Sequence, residues 1–386
     1  MSVSPRVLMV SDVYFPRING VSTSIETFRA ALGEHGIEVG LVAPRYGDEI
    51  DSGGIVRIPG RRLPRDPEDR LMHYDRLREA VLRTAADYDL IHVQTPFAAH
   101  YAGLHAAKKL GKPILATYHT LFEEYLQHYI PFLPAKALRA LARRFSRGQC
   151  NALDAVVVPS TAMRDRLRAY GVETDMHVLP TGLPESAFSP GDRARFRARH
   201  GISPQTPVLL FVGRVAHEKN IAFLLDALVH AHRQMPGLLL LITGEGPALP
   251  DLRHQADRLG LGDAVRFLGY LDRRHELPDA YAAADAFVFA SHTETQGLVL
   301  LEAMAQGCPV VAQAVMGTAD ILGPGRGCLT APDDPHAFAR IMIQPLRDPG
   351  LRALLSTQAR EYAREWSDHA LAQRMAQLYQ GLAATR

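Results

Sequence analysis

Short apolar runs of strand length recur along the chain, each followed by a polar, Gly- or Pro-punctuated loop and then by residues with helical periodicity. In the first half the runs predict strands at Val7–Val10, Ile37–Ala43, Ile55–Ile58, Leu90–Val93, Ile114–Tyr118, Ala155–Val158 and His177–Leu179. Between them, Val21–His35, Asp75–Ala86 and Ala98–Leu110 read as helices; Ile25, Phe28 and Leu32 fall on one face of the first. Arg61–Arg70, rich in Arg, Pro and Asp, reads as a surface loop. The pattern then starts again. Val208–Val212, Leu238–Ile242, Val265–Leu268, Ala286–Ala290 and Val310–Ala312 are strand-length, and Arg193–His200 and Ile221–Arg233 are helical. Pro335–Gln344 and Gly350–Ala384 are also helical, with Trp366 between two helices of that tail. Such runs suit parallel strands covered on both faces, so the class is α/β. Pro180-Thr181-Gly182-Leu183-Pro184 is a hinge. It divides the chain into domains at 1–182 and 183–366, with a last helix, 367–386, returning to the first.

Composition narrows the class only a little. At 386 residues, 47% apolar and 22% charged, the chain has material for two cores. A net charge of +2 gives no argument for nucleic acid. Cys150, Cys308 and Cys328 are too few and scattered for a disulfide framework or zinc site, so a reducing, cytoplasmic setting is expected. The opening MSVSPRVLMVSD reads as a strand rather than a signal peptide, and no run reaches membrane-span length.

The candidate chemistry centres on Ser291–Ala312, where seven residues separate Glu294 from Glu302. Thr295-Gln296-Gly297 turns the chain into an apolar helix beginning at Leu298, whose free N–H groups and dipole favour an anion. Glu302, flanked by Leu300, Leu301, Ala303 and Met304, is placed to accept two hydrogen bonds from a sugar diol. Upstream, Gly213-Arg214-Val215-Ala216-His217-Glu218-Lys219-Asn220 joins a strand to a helix and offers a planar guanidinium and an ammonium to phosphate. Thr243-Gly244-Glu245-Gly246-Pro247 does not complete a dinucleotide fingerprint. In the first half, Asn19-Gly20 lets a ligand approach the backbone, and His119 ends a strand where a ligand would sit. Asp87-Tyr88-Asp89 matches a metal-holding pattern but precedes a strand, at the wrong end, so no metal is expected. Aromatic-rich Leu121–Pro134 leads into 135–147, a basic amphipathic helix. There Lys136, Arg139, Arg143 and Arg147 share a side with Arg144 at its edge, opposite Leu138, Leu141 and Phe145. Residues 133–147 suit an anionic membrane interface, or a core-packed helix with a solvated basic face.

The Asn19-Gly20 loop, His119, the Arg214…Lys219 loop and Glu294-x7-Glu302 occur together and in order, and this set resembles the family 4 retaining glycosyltransferases over essentially the whole chain. The resemblance implies the GT-B fold, with two Rossmann-like domains facing across a cleft that takes a nucleotide sugar as co-substrate, without a cofactor. It implies Arg214 and Lys219 on the donor diphosphate and Glu302 on the ribose. Glu294, with the backbone of Thr295, Gln296, Gly297, Leu298 and Val299, would lie at the sugar and phosphate. Gly20 would lie against the phosphates, Gly244 and Tyr270 near the base, and His119 near the reacting carbon. Gln296 departs from the family pattern, which often has an aromatic there. The Glu294-Thr295-Gln296-Gly297-Leu298 form is more similar to the branch that glycosylates diacylglycerol. This implies UDP-glucose as donor and a peripheral enzyme on the inner face of the cell membrane. The alternatives are a soluble or polyprenyl-linked sugar acceptor with GDP-mannose or another donor, a nucleotide-sugar epimerase of the same fold, and a non-catalytic binding protein. The intact set of charged residues argues against the last.

Overall fold

The structure is a computed structural model that describes residues 4–17, 19–50, 53–62, 69–119, 135–273 and 275–384, with the backbone alone at 135–137 and 139. The chain divides into two compact units, Met1–Gly182 with Asp368–Arg386, and Leu183–Ser367.

In the first unit the described strands are β1 (Val7–Val10), β2 (Val39–Pro44), β3 (Ile55–Ile58), β4 (Gly60–Arg62), β5 (Arg70–Met72), β6 (Leu90–Val93), β7 (Ile114–Thr117), β8 (Ala155–Val158) and β9 (Met176–Val178). All but β4 and β5 form a parallel sheet in the order β3-β2-β1-β6-β7-β8-β9. Every residue of β1, β6 and β8 is buried, because helices cover both faces. The expected loop at Arg61–Arg70 is in part a hairpin, since β4 and β5 pair antiparallel at its two ends; residues 63–68 lie outside the described residues. The first helix, Gly20–Glu34, buries Ile25, Phe28 and Leu32, as their spacing predicts. Packed against it in the same core is the last helix, Asp368–Ala384, through Leu371, Met375 and Tyr379.

The second unit contains β10 (Val208–Val212), β11 (Leu239–Thr243), β12 (Val265–Gly269), β13 (Ala286–Phe289), β14 (Val310–Ala312) and β15 (Cys328–Thr330), all parallel, in the order β12-β11-β10-β13-β14-β15. The strand β15 and the helices Leu249–Arg258, Glu276–Ala283 and Thr318–Leu322 are too short for periodicity to mark them. The tail breaks where Trp366 stands: Pro349–Arg364 ends just before it, and its carbonyl accepts from Leu183 N at 2.8 Å.

In each sheet the order reverses once, at β1/β6 and at β10/β13. The loops leaving the carboxyl ends of those strand pairs diverge to opposite faces and open a crevice, the position at which doubly wound sheets bind ligands.

Three histidines of the first unit, His92 and His100 buried and His119 half-buried, make its stability depend on pH. His92 Nδ1 meets Tyr379 Oη at 2.7 Å and its Nε2 meets Thr117 Oγ1 at 2.8 Å. Burial pushes the His92 imidazole down from 6.5 to about 3, and those of His100 and His119 to about 4. Below pH 6.5 the unfolded chain takes up protons that the folded chain refuses, so stability present above 6.5 is lost as pH falls toward 4. Asp12 acts in the opposite sense: burial raises its carboxyl from 3.8 to about 6, so the folded state gains stability as pH falls through that value. With three groups against one, the melting temperature is expected to fall on acidification below about pH 6.5. His92→Gln is expected to melt lower at neutral pH but to show a shallower fall, which thermal denaturation across pH measures. An unchanged slope in that variant would remove His92 from the account.

Candidate functional site

In the second unit the loops after β10, β11 and β13 are locked together through backbone. Gly213 N donates to Thr243 O at 3.1 Å, Val215 N to Glu245 O at 2.9 Å, and Ala248 N to Val215 O at 3.0 Å. Gly244 has φ +121°, and a Cβ there would stand 2.0 Å from Gly213 O, so only glycine fits. Asn220 takes the left-handed conformation at φ 54°, opens the helix Ile221–Gln234, and donates from Nδ2 to Ala290 O at 3.2 Å. That bond ties the β10 loop to the β13 loop and sets Lys219 against Glu294 as a direct ion pair, each side chain about four-fifths buried. Arg214 is exposed, and its guanidinium has no partner among the described residues.

The Glu294–Gln296 turn is held from outside. Gly317 N donates to Glu294 O at 2.8 Å, and a Cβ on Gly317 would meet Thr295 O at 2.2 Å. Gly297, at φ +93°, caps the helix Leu298–Ala305, whose first N–H groups have no acceptor within the helix. Gln296 is buried, so its side chain belongs to the packing of the turn and what it can offer a ligand is backbone. Glu302 projects from the helix as expected but is not a free acceptor. It pairs with Arg273 and accepts from Tyr281 Oη at 2.9 Å. The Glu302 charge raises the Arg273 guanidinium above its ordinary value, so a diol binding Glu302 must share or replace these partners. Tyr270 stands exposed beside Gly269, which has φ +72°. Arg273 and Tyr281 were not legible as site residues. Arg273 follows β12 at a carboxyl edge, which is a weak signal; Tyr281 lies inside a helix and carries none.

On the first unit, Asn19 Oδ1 accepts from Ser22 N at 2.8 Å and caps the helix that Gly20 opens. At the β1/β6 reversal, Asp12 accepts from Thr95 Oγ1 at 2.7 Å and from Ala99 N at 3.2 Å, capping the helix Ala98–Leu110. His119, just past β7, pairs its Nε2 with Oε1 of buried Gln94 at 3.1 Å. With its imidazole at about 4, His119 is neutral at neutral pH, so it hydrogen-bonds without carrying charge. Gln94 escapes sequence reasoning because a glutamine after a strand has no spacing signal. It positions His119, and Gln94→Ala is expected to lower kcat about tenfold with donor KM nearly unchanged, as loss of an orienting partner does. Steady-state kinetics read both; an equal rise in KM would show that Gln94 binds donor instead.

The basic segment is a helix, Ala135–Cys150. Leu138, Ala142 and Ser146 are buried, whereas Leu141, which the sequence places with Leu138 and Phe145 opposite the basic side, is 51% exposed near exposed Arg144. The packing stripe runs one position later than the apolar pattern suggests, because small Ala142 and Ser146 take the close contact. Arg143 lies over the Tyr170 ring at 5.5 Å. Leu121–Pro134 lies outside the described residues. Asp89 accepts from Arg6 N at 2.6 Å and so anchors the start of β1. Among the described residues no group of three His, Cys, Asp or Glu could hold a metal ion, and no helix is long and apolar enough to cross a membrane.

Two family models match in tandem: Glycosyltransferase Family 4 over residues 18–186 and Glycosyl transferases group 1 over residues 192–366. Over 320 residues the chain is 34% identical to an alpha-monoglucosyldiacylglycerol synthase of Streptococcus pneumoniae, covering 80% of this chain and 70% of that one. It is 27% identical over 389 residues to a GDP-mannose-dependent alpha-(1-6)-phosphatidylinositol monomannoside mannosyltransferase of Mycolicibacterium smegmatis, covering 97% and 98%. Among solved structures, the sucrose-phosphate synthase of Thermosynechococcus elongatus superposes with a TM-score of 0.80 at 25% identity, covering 99% of this chain and 100% of that one.

Proposed function

Because the chain belongs to the family 4 glycosyltransferases, with the GT-B fold, we propose that it is a retaining, metal-independent glucosyltransferase that moves glucose from UDP-glucose to diacylglycerol at an anionic membrane surface. The observation that carries this reading is the β10/β13 crevice, where Arg214, Lys219 and the N-terminus of the Leu298–Ala305 helix gather positive potential beside two carboxylates. As the glycosidic bond breaks, the leaving diphosphate gains charge. Arg214, Lys219 and the helix N–H groups stabilise it without a metal. Lys219 exchanges Glu294 for phosphate, which frees Glu294 to bind the sugar. Glu302 exchanges Arg273 or Tyr281 for the ribose diol, and Gly244 and Tyr270 flank the base; the family resemblance assigns Gly20 of the first unit to phosphate and neutral His119 to a sugar hydroxyl. The acceptor's hydroxyl oxygen bonds to the anomeric carbon on the face the diphosphate leaves, and the departing phosphate oxygen takes its proton, so configuration is preserved.

The acceptor class rests on the diacylglycerol-directed relative and on the exposed Leu141, Arg143, Arg144 and Arg147 of the basic helix. Basic residues near an anionic leaflet contribute on the order of 1 kcal/mol each, so peripheral attachment to the inner face of the cell membrane follows from this reading. The test is release of nucleoside diphosphate from a panel of nucleotide sugars, with and without diacylglycerol in anionic vesicles. Release that needs both UDP-glucose and the vesicles is expected. Release with GDP-mannose instead would favour the mannosyltransferase-like relative, and release without any acceptor, with an altered free sugar, would mark an epimerase.

A further inference from the structure

A cavity of about 700 Å³ opens at the amino ends of β13 and β14, within the second unit and at the edge of the sheet opposite the crevice just described. Its walls are the Phe188–Gly191 segment, the end of the Glu276–Ala283 helix, the Ala305–Pro309 turn and the Pro349–Arg364 helix. Arg193, Arg352, Arg360 and Arg364 line it against one carboxylate, Asp285, which leaves an excess of three positive charges. Arg352, Ser356, Arg360 and Arg364 recur every fourth residue, so they form one ridge along their helix.

Much of this charge is not consumed by structure. Arg193 is committed to the carbonyls of Ala282–Ala284 and to Asp285 Oδ1 at 2.8 Å. Arg352 uses one nitrogen, Nη1, on Asp285 at 3.0 Å. Arg360 donates to Ser356 Oγ at 3.1 Å and, at greater length, to Gln306 O at 3.4 Å. The Arg364 guanidinium has no partner among the described residues. A concave site of this volume suits a small molecule, and converging guanidiniums with a hydroxyl among them suit phosphate oxygens.

Two wall residues also lead to the candidate donor site. Tyr281 lines the cavity and donates to Glu302. Gln306 lies one turn beyond Glu302 and clamps the cavity rim, accepting from Gly191 N at 2.9 Å and donating to Ala187 O at 2.7 Å and Ser189 O at 2.9 Å. The Leu298–Ala305 helix thus begins at Gly297 in one site and ends at the wall of the other.

We propose that this cavity binds a small phosphate-bearing anion, separate from the donor, and that its occupancy changes donor affinity through Tyr281, Gln306 and the Leu298–Ala305 helix. An anion on the arginine ridge draws Arg360 from the Gln306 carbonyl at the end of that helix. The binding half stands without the donor assignment; the coupling half rests on it.

Calorimetric titration of the full chain with inorganic pyrophosphate tests the binding half, comparing wild type, Arg360→Ala/Arg364→Ala and Arg214→Ala/Lys219→Ala. Both arginines of the first pair are exposed, so that variant is expected to fold and to keep its basal transfer rate. It is expected to lose about tenfold or more in affinity for one of two pyrophosphates, while the second variant retains that event. A single binding event that disappears in Arg214→Ala/Lys219→Ala, with Arg360→Ala/Arg364→Ala titrating as wild type, would overturn the site. For coupling, inorganic phosphate is expected to shift donor KM about fivefold in wild type and not in Arg360→Ala/Arg364→Ala. Equal responses in both would remove the coupling. Titration needs no turnover, so a protein inactive with every donor would fail the proposed function while leaving the cavity test readable.

Discussion

Lys219→Ala is expected to lower kcat/KM by about 10²–10³-fold, the loss typical of one charge-stabilising group in a preorganised site. Lys219 is largely buried, and its loop is fixed by Asn220 to the β13 loop, so neither arginine nor solvent can take over its position. The loss has two physical sources. The diphosphate loses a cation, and Glu294, deprived of its partner, turns a partly buried negative charge toward that diphosphate. Kinetics of the double variant Lys219→Ala/Glu294→Gln separate them. If Lys219 acts on phosphate, neutralising Glu294 leaves activity low; recovery to near wild type would reassign Lys219 to holding Glu294. Near-normal activity in the single variant would end the phosphate assignment altogether.

Asp285→Ala is expected to destabilise the second unit by about 3–5 kcal/mol, the range for removing one partner of a buried ion pair. Asp285 sits just before β13, and four groups converge on it. Arg193 and Arg352 reach Oδ1 at 2.8 and 3.0 Å, and Arg197 Nη2 and Val208 N reach Oδ2 at 3.1 and 2.9 Å. Arg197 is 3% exposed, so without the carboxylate it is a buried cation facing two others. Arg193→Ala removes a half-exposed member and is expected to cost only about 1 kcal/mol. Urea denaturation followed by circular dichroism measures both. Equal midpoints for the two variants would show that the carboxylate is not the hub of the cluster.

The legible parts of this protein are those that local chemistry determines. Runs such as Val208–Val212 and Ala286–Ala290 read as strands buried on both faces because they are short, apolar throughout and bounded by glycine or polar loops. Glycines at Gly244 and Gly297 announce backbone that other residues rarely adopt, the first directly after β11 and the second at the start of the Leu298–Ala305 helix. The motif residues Arg214, Lys219, Glu294 and Glu302 were visible as charges in apolar or glycine-rich settings. The separation of exposed Leu141 from buried Leu138 was not legible, because small Ala142 and Ser146 occupy the contact and apolarity alone does not register that.

What the chain by itself determined was therefore the kind of element at each position and the family to which its motif set belongs. Tertiary structure decided who meets whom. Lys219 lies 75 residues before Glu294, and they pair because β10 and β13 are neighbours at the point where the strand order reverses. Thr95 reaches Asp12 across 83 residues for the same reason at β1 and β6. Arg273 and Tyr281 on Glu302, Gln94 on His119, and the arginines around Asp285 are likewise products of strand order. Hydrophobic spacing specifies which face of an element is buried but carries no label for the element that covers it, so long-range partners become visible only when the sheets are assembled.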